Sequence, residues 1–186
     1  SAATSLVDQV RLYNSTFAFN DQGLSVNAAA TSTSVGQIAN NIFWQNHDRT
    51  LARAGNAISA NVPDKLQVRN NVFSGNGPSQ SSSADDTTGV GGGFDPSRLV
   101  ATPDALGNYV GDPAFVSPRD PRPGADGPAV FFLDANFDLT LKSDAIDRAN
   151  PTFAPATDFR YRSRTVVPGR AFPNTGPADV GAFEFN

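Results

Sequence analysis

The 186-residue chain has no cysteine, which excludes disulfide staples and thiolate metal sites and leaves the redox compartment open. Methionine is also missing, and there are only one glutamate (Glu184) and two lysines (Lys65, Lys142). The best helix formers are therefore nearly absent, while Asn, Asp, Gly, Pro, Ser and Thr abound, a balance that favours strands and turns. No apolar run approaches the roughly 18 residues of a membrane span, and no cationic-then-apolar leader opens the sequence. The net charge is −4, and no basic patch carries interleaved aromatics, so nucleic acid is not an expected partner. With 39% apolar residues the chain can still bury the core of one domain.

What is present is a repeat. The pattern apolar-x-Asn-x-x-Phe-x-x-Asn occurs at Leu12, Asn14, Phe17, Asn20, again at Ile38, Asn40, Phe43, Asn46, and again at Val68, Asn70, Phe73, Asn76. The copies start 26 and then 30 residues apart, a period that signals stacked supersecondary units. Alternate residues of a strand share a face, so Leu12, Ile38 and Val68 are expected to form one apolar column, and Phe17, Phe43 and Phe73 a second. Asn14, Asn40 and Asn70 are expected to form an amide ladder between coils. Asn20, Asn46 and Asn76 are assigned to the turn that leaves the strand, because Asn tolerates left-handed backbone.

The phrase Val68-Arg-Asn-Asn-Val-Phe-Ser-Gly-Asn76 resembles the repeat of right-handed parallel β-helix proteins of the pectin-lyase-like superfamily. Gly111-Asp-Pro-Ala-Phe115, Phe137-Asp-Leu-Thr-Leu141, Ser143-Asp-Ala-Ile-Asp147 and Asp179-Val-Gly-Ala-Phe-Glu184 are similar to the closing segment of secreted bacterial members. The resemblance implies an all-β fold, a right-handed parallel β-helix solenoid with long loop excursions and a C-terminal segment covering its side or end. It also implies a secreted or cell-surface location. Because the superfamily holds lyases, hydrolases, adhesins and structural proteins, it implies no single function.

The expected organisation is one β-helix domain over 1–186. Three recognisable coils occupy 10–76, and a low-complexity Ser- and Gly-rich insertion fills 77–99. Further coil strands span 100–141, with a Pro-rich loop at 117–128, and 142–186 closes the domain. Ala129–Leu133 and Phe137–Leu141 are expected to pair about the turn 134–136. The sequence opens on Ser1 without an initiator Met and reads as a mature product or the C-terminal piece of something longer. An uncapped first coil would leave a row of unpaired backbone groups, so association of copies through that end is an expected route to a homo-oligomer or filament.

Candidate chemistry is sparse. The one histidine, His47, has no second His or Cys to complete a metal site and reads as an exposed turn residue. The Gly91–Gly93 tract lacks the Lys-Ser/Thr of a phosphate loop. Asp134, Asp138, Asp144 and Asp147 are hard oxygen ligands without a calcium-loop spacing and read as self-bonded turns. No cofactor is expected from the residues, although the resemblance to lyases makes calcium the ion to consider. Arg160, Arg162 and Arg164 alternate with Phe159, Tyr161 and Ser163, which in a strand puts three guanidinium groups on one face. That face is a candidate grip for an anionic glycan, or a partner for nearby aspartates. Members of the superfamily tend to carry Gly where Tyr161 stands. Trp44, the single tryptophan, is a candidate sugar-stacking platform or a packing residue. For a lyase, the resemblance implies a Lys or Arg base, and Lys65 and Arg69 are the nearest candidates; catalytic residues are otherwise unassigned. The reading is a secreted or cell-surface β-helix protein with a structural, adhesive or glycan-binding role, whose partners are polysaccharides or further copies of itself. The alternative is a polysaccharide lyase or glycoside hydrolase, or a fragment of one.

Overall fold

The computed structural model describes residues 10–20, 23–26, 36–46, 57–60, 66–76, 106–120, 135–164 and 178–185. The insertion at 77–99, the segment Ala129–Leu133, and His47, Lys65 and Asp134 lie outside these residues. Every regular element among the described residues is a strand, so the described part of the chain is all-β.

Among the described residues the first two repeats each contribute one strand to each of three parallel sheets, and the third repeat contributes to two of them. In the first, β1 (Arg11–Tyr13), β4 (Gly36–Ala39) and β7 (Leu66–Arg69) lie side by side and parallel, with Leu12 opposite Ile38 and Ile38 opposite Val68. In the second, β2 (Thr16–Ala18), β5 (Ile42–Trp44), β8 (Val72–Ser74) and β9 (Tyr109–Val110) are likewise parallel, with Phe17, Phe43 and Phe73 in register. The third pairs β3 (Leu24–Val26) with β6 (Ile58–Ala60). Two further strands, β10 (Phe115–Ser117) and β11 (Asn136–Leu139), pair antiparallel with an irregularity in register.

Strand alternation then sorts the side chains into two cores. Inward-facing residues of the three parallel sheets meet in one cluster: Ile38 and Val68, Phe43 and Phe73, Val26 and Ile58 are all buried there, with Leu12, Phe17 and Leu24 packed at its margin. The Phe rings stack nearly flat, 5.0 and 5.2 Å between centroids and tilted by only 8° and 7°. On the opposite face of β5, β8 and β9, Ile42, Val72 and Tyr109 form a second core with residues from β10, β11 and the C-terminal segment. A sheet apolar on both faces needs cover on both. The C-terminal segment supplies it along the side of the sheet.

The bends between the sheets differ from expectation by one residue. Asn14, Asn40 and Asn70 carry positive φ of 48°, 58° and 52°, the left-handed conformation that Asn adopts more readily than most residues. The ladder belongs to the next residue. Asn41 Nδ2 donates to Asn71 Oδ1 (3.0 Å), and Asn71 Nδ2 donates to Asn108 Oδ1 (3.0 Å). Asn41, Asn71 and Asn108 are completely buried. Asn14 and Asn40 share a single amide bond of 3.3 Å. The second bend repeats this logic. Phe19, Gln45 and Gly75 take the left-handed turn, with φ of 59°, 54° and 59°, and the Asn after each one stacks: Asn20 on Asn46, and Asn46 on Asn76. A left-handed residue redirects the chain, so the side chain that follows it lies along the stacking direction, where its amide reaches the neighbouring repeat.

The same rule uncovers a fourth repeat at Gly107-Asn108-Tyr109-Val110. Gly107 has φ of +80° and takes the place of Asn70, where an added Cβ would come within 2.3 Å of the Asn70 amide nitrogen. A side chain there would have to displace the Asn70 amide, and glycine takes the left-handed angle without that shift.

Candidate functional site

The C-terminal segment is tied to the repeats by amides already turned outward at the first bend. Asn40 Oδ1 accepts from the Asn150 N–H (2.8 Å), while its Nδ2 donates to the Asn150 carbonyl (3.0 Å). The Gly181 N–H donates to the Asn40 carbonyl (2.8 Å), Asn14 Nδ2 reaches the Asp179 carbonyl (3.4 Å), and the Ala182 N–H reaches Thr16 Oγ1 (3.3 Å). Gly181, at φ +100°, permits this approach, since a Cβ there would lie 2.7 Å from Ile42 Cδ1.

The alternation over residues 159–164 would put three arginines on one face of a strand. Residues 157–164 form a turn instead, with only a Thr157–Ser163 antiparallel bridge and with Tyr161 at φ +63°. The turn is built on Asp158, whose Oδ1 accepts from the Arg160 and Arg162 N–H groups (2.8 Å each) and whose Oδ2 accepts from Arg162 Nε (3.0 Å) and the Glu184 N–H (3.2 Å). Burial alone would raise the Asp158 pKa, but the donors from Arg162, Glu184 and Arg160 outweigh it and hold the carboxyl below the usual carboxylate range.

Each arginine has a carboxylate partner. Arg160 pairs with Asp138 at 2.6 Å, Arg162 with Asp158 at 3.0 Å, and Arg164 with Glu184 at 2.7 Å. The last pair is buried on both sides, and Arg164 also donates to the Asp179 carbonyl (3.1 Å). Asp179 accepts from the Asp147 N–H (2.7 Å) and the Phe185 N–H (2.6 Å). Burial pushes its pKa up to about 6; those two N–H groups and Arg164 offset part of this effect, and the Asp147 charge adds to it. Asp144 and Asp138 lie elsewhere: Asp144 accepts from the Asp112 N–H (2.9 Å), and Asp138 faces Arg160. Among the described residues no group of three or more carboxylates or histidines converges on a point that would hold a metal ion.

Trp44 sits on the outer face of β5, half-buried, with its ring edge-on to Phe19 (4.8 Å) and Phe115 (5.1 Å). Arg69 ends β7 and is half-buried. Among the described residues the exposed aromatics are in the arginine turn: Phe159 is 75% and Tyr161 89% exposed.

These parts enclose a groove of about 350 Å³ beside β2. Thr16, Ala18 and Asn20 form one wall, and Phe137 with the Phe159–Phe183 pair forms the other, those two rings lying edge to face at 5.8 Å. The Arg160 guanidinium covers the Phe183 ring at 5.1 Å. The sequence offered little warning of this groove, because Phe137, Phe159 and Phe183 come from three separate motifs and meet only when the C-terminal segment docks. No protein-family model, curated protein or solved structure matches the chain.

Proposed function

We propose that the chain is a right-handed parallel β-helix module of the pectin-lyase-like kind, serving outside the cell as a structural or adhesive element rather than as a catalyst. Support for the solenoid comes from the constant order in which successive repeats visit the parallel sheets. Support for an extracellular place comes from the resemblance of its closing motifs to secreted proteins.

The observation that carries the non-catalytic reading is the pairing of charge in the C-terminal segment. Arg160, Arg162 and Arg164 each meet a carboxylate, and Asp158 and Asp179 each accept backbone N–H groups. This chemistry fastens the segment to the sheet. A general acid or base needs a group aimed at substrate with a proton to exchange, and these groups are aimed at one another. A glycan-binding surface is the second reading, favoured by the exposed Phe159 and Tyr161 rings beside Arg160, since an aromatic face suits a sugar ring.

A panel of anionic polysaccharides, incubated with the protein with and without calcium, tests both readings. Retention on a polysaccharide without unsaturated products or new reducing ends is the expected result for a glycan-binding surface, and no retention for a purely structural element. Product formation in any arm would refute the non-catalytic reading.

A further inference from the structure

Among the described residues the stacked columns of the repeat end at β2, and they do so with a definite chemistry. In the pairing of β2 with β5, the Ile42 N–H donates to the Ser15 carbonyl (2.9 Å) and the Phe19 N–H donates to the Trp44 carbonyl (3.2 Å). Parallel strands alternate the side to which each residue's backbone points. Phe17 therefore faces β5, while the N–H and C=O groups of Thr16 and Ala18 face the opposite edge, where no described residue pairs with them.

The side-chain columns end in the same plane. The Phe73–Phe43–Phe17 stack closes on Phe17, which is only half-buried, whereas Phe43 and Phe73 are 0% and 1% exposed. In the Asn column each Oδ1 accepts from the Asn of the repeat before it: Asn76 from the N–H and Nδ2 of Asn46 (3.1 and 2.9 Å), and Asn46 from those of Asn20 (3.2 and 3.1 Å). Each Nδ2 also reaches back to a Phe carbonyl, Asn46 to Phe17 (2.9 Å) and Asn76 to Phe43 (2.7 Å). Asn20 therefore presents an acceptor with no described donor, and a donor whose second partner would be a carbonyl one repeat further out. The apolar groove walled by Phe159 and Phe183 runs beside the same edge.

We infer that this edge is a strand-accepting site, and that its ligand is an extended polypeptide segment of a partner protein reading apolar-Phe-x-x-Asn, aligned parallel to β2. The segment's Phe would stack on Phe17 and its Asn would donate to Asn20 Oδ1. The apolar residue before its Phe would enter the groove, as Ile42 and Val72 occupy the same register position in the repeats. Backbone bonds to Thr16 and Ala18 supply affinity, and the two columns supply specificity, which is the division of labour in strand addition to a sheet edge. A second copy joined head to tail does not meet these requirements. Its last strand would offer Val110 at the Phe position, since Val110 pairs with Phe73, and Pro113 three residues on, where the column needs Asn. The inference deepens the structural reading by naming a partner, but it rests on strand register, so polysaccharide cleavage would leave it standing.

The test is a fluorescence-anisotropy titration of the whole chain against a labelled peptide of residues 66–76, with Phe73→Ala, Asn76→Ala and scrambled peptides as comparisons. Saturable one-to-one binding is expected, weakened about tenfold or more by either substitution, the equivalent of one well-made hydrogen bond or ring contact. Because these changes are in the peptide, the protein's folding is not at issue. An Ala18→Pro protein loses an N–H only on the open edge, a position where proline is tolerated, and should keep its melting temperature while losing peptide affinity. Absence of saturable binding, or equal affinity for the scrambled peptide, would overturn the inference. So would stable dimers of the chain alone in sedimentation, since a second copy would then be the occupant.

Discussion

Replacing Asn71 with alanine should cost far more than replacing its neighbour Asn70, although the two are adjacent and chemically identical. Asn71 is fully buried, and its amide makes bonds in both stacking directions. Its Oδ1 accepts from the N–H (2.9 Å) and Nδ2 (3.0 Å) of Asn41, and its Nδ2 donates to the Ile38 and Arg69 carbonyls at 2.9 Å each and to Asn108. Truncation leaves the Asn41 N–H buried without its acceptor, a loss of about 1–3 kcal/mol, and removes further bonds of about 1 kcal/mol each. With the two hydrogens of Nδ2 counted as two bonds, the expected total is on the order of 4–6 kcal/mol. Asn70, at φ +52°, holds the bend, and glycine relieves that conformation, so Asn70→Gly should stay within about 1 kcal/mol of the parent. Urea unfolding followed by fluorescence of Trp44, the single tryptophan and packed between Phe19 and Phe115, measures both. Equal losses for the two variants, or a larger loss for Asn70→Gly, would refute the assignment of bend and ladder.

Phe43 lies at the centre of the inner ring column and is fully buried, so Phe43→Ala should lower stability by about 3–5 kcal/mol, whereas Phe159→Ala, on an exposed ring, should change it by well under 1 kcal/mol in the same assay. The two perturbed carboxyls predict opposite pH responses. Asp179, raised from 3.8 to about 6, favours the folded state while it is protonated, so its contribution weakens as pH rises from about 4 to 6 and is worth roughly 3 kcal/mol across that window. Asp158, held below 3.8, contributes above that pH and is lost as pH falls past it. Together they should place their combined maximum at about pH 4, and Asp179→Asn should abolish the decline between pH 4 and 6 in a denaturant series. A decline that survives the substitution would mean that another group titrates there.

Much of the fold could be read from the repeat because its signals are local and periodic. Leu12, Ile38 and Val68, and Phe17, Phe43 and Phe73, stand in register as their alternation predicts. The bends were harder to read because a run such as Asn40-Asn41 or Asn70-Asn71 offers two identical side chains, and only the backbone angle distinguishes the turning residue from the stacking one. The fourth repeat was hidden by the change from Asn-Asn to Gly107-Asn108 and by the lost Phe and second Asn. In the arginine stretch, alternation read as a strand, yet Asp158 accepts so many N–H groups that it closes a turn, and Tyr161 sits where a glycine would be at ease. β11 pairs with β10 across a long separation in sequence, which no neighbouring turn signal could announce. The groove depends on that pairing and on the docking of the C-terminal segment.

Successive repeats lie in parallel register, and cysteine trapping tests this without background because the sequence has no cysteine. Gln37 and Gln67 are register partners on β4 and β7, and neighbouring strands stand about 4.8 Å apart, within the span a disulfide bridges. A Gln37→Cys/Gln67→Cys protein should oxidise rapidly and quantitatively to an intramolecular disulfide, while Gln37→Cys/Arg69→Cys, two residues out of register, should remain reduced under the same conditions. Equal oxidation of both pairs, or preference for the second, would contradict the parallel stacking of the repeats.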